Sequence, residues 1–336
     1  MLRLPPFEYL APRTVAEAVT MLAERGPEAM IVAGGTDLYP NMKRRQFEPK
    51  ALVGLRSVAE LKRVTGDAES GLTIGAGMTL TQVSRHPIIA QSYSALAHAA
   101  GVVSTAQLRN MGTIGGNLCL DTRCNYYNQT YHWRKSIGFC MKKDGDICLV
   151  APGGSRCWAV SSSDTAPVMI ALGASVKLAG PNGERVIPVD ALYRDDGMEY
   201  ITKAPNEILT EIVLPPADGL RTAYLKLRRR GSFDFPILGV AVALRLADEG
   251  AGASPAPTCT YAKIVLGAVG SRPVEAKQAE SILVGQKLTP EVIDAAAQAA
   301  ARLAKPLDNT DLALSYRKKM AHVFTVRALR EAVGSI

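Results

Sequence analysis

The sequence predicts a mixed helix-and-strand protein built as two or three packed units, and three observations predict it. The chain has 336 residues, more than one hydrophobic core usually serves. Short apolar runs that end in glycine or proline recur along it, as buried strands do. From residue 274 onward it turns to long stretches with apolar residues at helical spacing and few breakers.

Taken in order, Val15, Ala18, Val19, Leu22 and Ala23 fall on one helical face after Thr14, whose hydroxyl suits an N-cap. Residues 29–33 form a short apolar run fit for a buried strand, ending in Gly34-Gly35-Thr36-Asp37. Paired glycines let a backbone turn sharply and bring its N–H groups close to an anion, although an ordinary strand–turn–helix link uses the same residues. Residues 51–54 and 72–75 read as strands, and Thr79 as the cap of a helix through Val83. Gly75-Ala76-Gly77 begins like a dinucleotide fingerprint, but Leu80 stands where the third glycine belongs and no acidic residue follows at the required distance. A tight turn is the better reading.

Residues 88–100 predict one apolar helix, and residues 108–112 lead into a second glycine turn, Thr113 to Asn117. Two such turns, each flanked by Thr and by Asp or Asn, point to a shared phosphate ligand. Beyond Ser163-Asp164, residues 168–179 read as a helix and then a strand, and residues 207–214 as a strand closed by Pro215 and Pro216. Residues 224–246 alternate basic and apolar before becoming continuously apolar at 237–244, and 261–269 is a further strand. Helices are expected over 274–284, 290–303 and 311–333, with boundaries between units near 54–61 and 215–220.

The formal net charge of +8 fits either a solvated basic surface or the docking of an acidic partner. Nucleic acid is disfavoured, since the basic residues are dispersed and no recognition motif accompanies them. No apolar run approaches the about 18 residues of a membrane span, and prolines at positions 5 and 6 do not suit a signal peptide. The expectation is a cytoplasmic protein with reduced thiols.

Cys124, Cys140, Cys148 and Cys157 lie 16, 8 and 9 positions apart in one window with both tryptophans, Trp133 and Trp158. No two of these four are spaced as a C-x2–4-C knuckle. The spacing alone leaves zinc, an iron–sulfur cluster, disulfides and unrelated thiols open. Tyr126, Tyr127 and Tyr131, with the two tryptophans, are expected to shield any centre held there. Arg134, Lys135, Lys142 and Lys143 are expected to form a basic rim for an acidic electron carrier. Cys119 and Cys259 read as small buried hydrophobes, with Cys119 a possible substitute ligand. No acid–base pair and no nucleophile with a partner base is evident, so no catalytic residue is assigned.

Ile31-Val-Ala-Gly-Gly-Thr-Asp-Leu38, Leu108-Arg-Asn-Met-Gly-Thr-Ile-Gly-Gly-Asn117 and Ser163-Asp164 resemble the FAD-binding medium subunit of the molybdenum hydroxylase (xanthine dehydrogenase) family. Gly267-Ala-Val-Gly-Ser-Arg-Pro273 and Ser315-Tyr-Arg-Lys-Lys-Met320 are similar to its C-terminal domain. The four-cysteine insertion at 122–160 resembles the branch formed by the 4-hydroxybenzoyl-CoA reductase β subunits, where it holds a [4Fe–4S] cluster.

The resemblance implies an α+β fold: a bipartite FAD-binding domain of the vanillyl-alcohol-oxidase-like type, then a smaller C-terminal domain of antiparallel sheet plus helices. Its parts would be 1–57, 58–217 with the insertion 122–160, and 218–336. Ile31, Val32, Ala33, Gly34, Gly35, Thr36, Asp37 and Leu38, with Thr113, Gly115, Gly116 and Asn117, would wrap the FAD pyrophosphate. Val103, Asp164, Leu209 and Lys226 would contact the rest of the nucleotide, and Cys124, Cys140, Cys148 and Cys157 would ligate the cluster. The implied function is electron transfer from reduced ferredoxin, through [4Fe–4S] and FAD, to a [2Fe–2S] small subunit and a molybdopterin large subunit in an (αβγ)2 assembly. An oxidative hydroxylase subunit feeding NAD or quinone, and a zinc-stabilised flavin module, are the alternatives.

Overall fold

The computed structural model describes residues 2–247 and 256–334. Three sheets organise it. The first is parallel, with Ala51–Gly54 in the centre flanked by Glu8–Leu10 and Ala29–Val32. Helix Val15–Arg25 covers it through Ala18 and Leu22, and the Thr14 hydroxyl accepts from Glu17 N as its cap.

The second sheet is antiparallel, in the order Val64–Asp67, Gly71–Gly75, Ile208–Leu214, Ser175–Gly180, Gly183–Pro188. Its central strand is drawn from a distant part of the sequence, which ties residue 212 to residues 74 and 176. The third sheet runs Val274–Glu275, Cys259–Gly267, Leu238–Leu246, Arg221–Leu227, all antiparallel, and carries helices Lys277–Leu283, Pro290–Ala301 and Leu314–Val333. The fully buried helix Thr165–Ala171 lies between the second and third sheets and puts Pro167 against Gly267. The α+β class and the antiparallel C-terminal sheet with helices are as expected.

Two elements differ from expectation. Residues 88–100 form two helices, Pro87–Ser92 and Ser94–Gly101, broken at Tyr93. The Tyr93 hydroxyl donates to the Pro215 carbonyl at 2.8 Å, so a long-range anchor holds that residue out of helical geometry. Val274 and Glu275 pair with Leu266 and Val265 before their helix begins. Strands Glu8–Leu10, Val64–Asp67 and Gly183–Pro188 have largely exposed residues, and so left no apolar run to read. Among the described residues no helix is long and apolar enough to cross a membrane.

Candidate functional site

A cavity of about 550 Å³ opens between the parallel sheet, the five-stranded sheet and the loop preceding Leu238–Leu246. That volume suits a small-molecule or cofactor site. Both glycine turns line it: Ile31, Val32, Ala33, Gly34, Gly35, Thr36, Asp37 and Leu38 from the first, Thr113, Gly115, Gly116 and Asn117 from the second. They touch one another. A Cβ on Gly34 would lie 2.6 Å from the Met111 carbonyl carbon and 2.9 Å from Gly112 Cα, so only glycine permits the approach.

The turns are not equivalent. Gly35 has φ +71°, and among the described residues nothing accepts a hydrogen bond from the backbone N–H groups of Gly34, Gly35, Thr36 or Asp37. Four successive unpaired donors on a cavity wall are a nest for an anion. In the second turn the N–H groups of residues 114–117 are already engaged, and that of Thr113 has no acceptor among the described residues. Ile114 N donates to Met78 O, Gly115 N to Ala76 O at 2.9 Å, and Gly116 N to Thr113 Oγ1 at 3.1 Å. That turn shapes the wall.

Asp37 brings little net charge to this wall, because Arg123 pairs with its Oδ1 and Asn41 donates to Oδ2 at 3.1 Å. The Arg123 guanidinium in turn stacks 4.5 Å from the Phe235 ring centroid. Asn117 Oδ1 accepts from Ser163 Oγ, Thr165 N and Thr165 Oγ1 at 2.8, 3.2 and 2.7 Å, which locks Asp164 between them. Asp164 and Leu209 line the cavity, as does Val103. Lys226 does not. Its Nζ donates to Asp164 Oδ2 at 2.9 Å and to the Val102 carbonyl, while Tyr224 donates to Oδ1 at 2.8 Å. Burial pushes the Asp164 carboxyl up and the Lys226 ammonium down, each opposed by the other's charge. Lys226 therefore reaches the site through Asp164.

The tight turn at Gly75–Leu80 supplies the floor. Ala76, Gly77, Thr79 and Leu80 line the cavity, and a Cβ on Gly115 would meet Ala76 Cβ at 2.7 Å. Asp121, Tyr200, Lys203, Phe233 and Phe235 are further wall residues that the sequence reading missed. They lie in loops without a motif, and only the fold assembles them.

A second, smaller pocket is lined by all four window cysteines, together with Tyr126, Tyr127, Met141, Lys142, Leu149, Val150 and Ala159. The loop that carries them is pinched at its neck by an Arg123–Val160 bridge, with N···O distances of 2.8 and 2.7 Å. Asn309 clamps both ends, accepting from Asn125 N and donating to Trp158 O. All four thiols are buried and none is in a disulfide. Burial pushes Cys124 up to about 12 and Cys157 up to about 11. Cys119 lines the larger cavity instead, and Cys259 is buried in the C-terminal sheet. Among the described residues no group of three or more His, Cys, Asp or Glu side chains is arranged to hold a single metal ion.

The aromatic shield and the basic rim need correcting. Tyr126 and Tyr127 face the thiols, but Tyr131 and Trp133 are 39% and 40% exposed. Arg134 is fully buried, donating to the carbonyls of Arg44 and Arg45, and Lys142 is buried against Asp121. The turn in which Gly145 N and Lys143 N both donate to the Cys140 carbonyl brings Lys142 to the pocket wall.

Residues 5–217 match the family described as the FAD binding domain in molybdopterin dehydrogenase, and residues 222–332 match the CO dehydrogenase flavoprotein C-terminal domain. The carbon monoxide dehydrogenase medium chain of Hydrogenophaga pseudoflava is 30% identical over 98% of this chain and 97% of its own. The nicotinate dehydrogenase FAD-subunit of Eubacterium barkeri is 29% identical over 86% of this chain and 83% of its own. The solved Hydrogenophaga pseudoflava carbon monoxide dehydrogenase, in a form lacking the Mo-pyranopterin moiety, superposes with a TM-score of 0.79 at 29% identity over 99% of both chains.

Proposed function

This chain belongs to the FAD-binding medium subunits of the molybdenum hydroxylase family, and we propose that within it the chain is an electron-transfer subunit carrying a [4Fe–4S] cluster beside its FAD. The oxidoreductase subunit and its FAD follow from the family; the cluster and the reaction are the proposal. One observation carries it: four buried, unpaired thiols surround one pocket adjoining the larger cavity.

The residues fit both groups. The free N–H groups of Gly34, Gly35, Thr36 and Asp37 would hold the FAD pyrophosphate, with Thr113, Gly115, Gly116 and Asn117 as the facing wall. Val103, Leu209 and Asp164 would bound the rest of the nucleotide, Lys226 holding the Asp164 carboxylate in place. Cys124, Cys140, Cys148 and Cys157 would ligate the cluster. Burial disfavours thiolates unless a bound metal compensates them, and four buried thiols around one pocket are the ligand set that a four-iron cluster takes. When bound, the two groups supply one- and two-electron carriage, and the chain's part is to hold, orient and seal them.

We place the subunit in a 4-hydroxybenzoyl-CoA reductase. There two one-electron donations from reduced ferredoxin and two protons would convert a phenolic C–OH to C–H, releasing water, at a molybdopterin large subunit reached through a [2Fe–2S] small subunit. The assembly is proposed as a cytoplasmic (αβγ)2 complex. A second reading, favoured by the carbon monoxide and nicotinate dehydrogenase relatives, is an oxidative hydroxylase subunit passing electrons outward to NAD or quinone.

Anaerobic purification with iron, acid-labile sulfide and flavin quantification, followed by EPR after dithionite reduction, tests the cluster. Four irons and one FAD per chain are expected, and flavin without iron would overturn the proposal. Ferredoxin-dependent reduction of 4-hydroxybenzoyl-CoA by the whole complex separates the two readings. Activity with NAD or quinone and an oxidisable substrate, and none with ferredoxin, would leave only the second.

A further inference from the structure

The wall between the two cavities contains a buried ion pair. Asp121 lines the larger cavity and Lys142 lines the thiol pocket. Lys142 Nζ donates to Asp121 Oδ1 at 2.7 Å, and the two side chains are 6% and 8% exposed. Its other donors go to Thr122 Oγ1 at 2.6 Å and to the Gly197 carbonyl at 2.5 Å, so all three ammonium protons are used and the charge is fixed in place. The rings of Tyr127 and Tyr200, one lining each cavity, stand 4.7 and 5.4 Å from the same nitrogen.

Gly197 completes the link. Its N–H donates to the Cys157 carbonyl at 2.9 Å, and a Cβ there would fall 2.7 Å from Cys157 Sγ. The segment that Lys142 grips is thus the one pressed against a cluster cysteine. A lysine is rarely buried this deeply unless its charge is compensated, and here the compensation comes from a residue of the neighbouring cavity. Both side chains are nearly excluded from solvent, so screening by water is weak and each charge is felt by whatever lies beside it.

We propose that the Lys142–Asp121 pair is a fixed electrostatic element that sets the relative reduction potentials of the two cofactor sites, the cation favouring the reduced centre in the thiol pocket and the carboxylate opposing it. The inference rests on the cluster reading given above. Lys142 and Asp121 are positioning residues, since they act through the field they impose. An iron centre with four thiolate ligands gains negative charge when it takes up an electron, so a neighbouring cation stabilises the reduced form and a neighbouring anion destabilises it.

The test compares Lys142→Met, Asp121→Asn and Lys142→Arg in the full anaerobically purified protein. Iron, sulfide and flavin are counted, and potentials are read by EPR-monitored redox titration. At a fixed ambient potential, Lys142→Met is expected to lower the ratio of reduced to oxidised cluster about tenfold, or 59 mV for a one-electron couple. Asp121→Asn is expected to raise it, and Lys142→Arg to stay near the parent. Opposite signs are the signature, because mere loosening of the wall would move both variants the same way. If Lys142→Met loses its iron, the upward shift of Asp121→Asn still decides. Shifts of the same sign, or no shift in Asp121→Asn at full iron content, would overturn the inference and leave the cluster reading standing. A parent protein without iron would instead remove the cluster reading itself, and this inference with it.

Discussion

Replacing Gly34 by Ala tests whether the two glycine turns must touch for flavin to bind. The added Cβ would sit 2.6 Å from the Met111 carbonyl carbon and 2.9 Å from Gly112 Cα, with the Met111 oxygen nearer still, whereas real Cβ contacts essentially never fall under 3.0 Å. These neighbours are backbone, so the turns must part. Overpacking of this kind costs about 1–3 kcal/mol. If the flavin-free protein relaxes and the whole cost falls on binding, FAD affinity weakens roughly 5- to 140-fold, at about 1.4 kcal/mol per tenfold. Gly116→Ala is the internal control. Its Cβ would meet only the Thr113 hydroxyl, at 3.0 Å, so a loss under about tenfold is expected. The assay is FAD titration of deflavinated protein by flavin fluorescence, with circular dichroism to confirm folding. A folded Gly34→Ala protein with parental affinity, or a weaker effect there than at Gly116, would refute the reasoning.

Asn117→Ala removes the single acceptor for three buried donors, at about 1–3 kcal/mol. A fall of a few degrees in the melting temperature of the flavin-free protein is expected, and an unchanged melt would mean that Asn117 acts on the cofactor alone. Cys140→Ser should abolish the EPR signal and the iron content while leaving about one FAD per chain, because the cysteine pocket and the larger cavity have separate linings; parallel loss of both cofactors would show the pocket to be part of the flavin fold. Glu207 accepts from Arg185 at 2.6 and 2.8 Å and from Ala204 N at 2.7 Å, and the Arg185 contact holds its carboxyl below the usual range. Its contribution is present above the ordinary glutamate value of about 4.3 and is lost as pH falls through the lower folded value. The stability gap between the parent and Glu207→Gln should therefore be constant from about pH 6 to 8 and close below about pH 4 in urea titrations, and a gap that widens in acid would reverse the assignment.

Much of the cofactor chemistry was legible because it is local. Thr14 and Thr79 cap the helices that follow them, the 29–32 run ends where the paired glycines turn, and four cysteines within one window announce themselves by residue type alone. Each of these needs only near neighbours and elementary backbone sterics. What the sequence by itself determined was thus the class of chain, the two glycine turns and the thiol set. Only the tertiary structure decided which turn keeps its N–H groups free, since the second turn loses those of Ile114 and Gly115 to Met78 and Ala76, residues the motif does not contain. It also turned Lys142 and Arg134 from an expected rim into buried cations, because their partners, Asp121 and the carbonyls of Arg44 and Arg45, come from outside the segments that carry them. A pattern records the chain's neighbours along the sequence, whereas burial and charge compensation depend on neighbours in space, and those exist only once the loop has closed on the sheets.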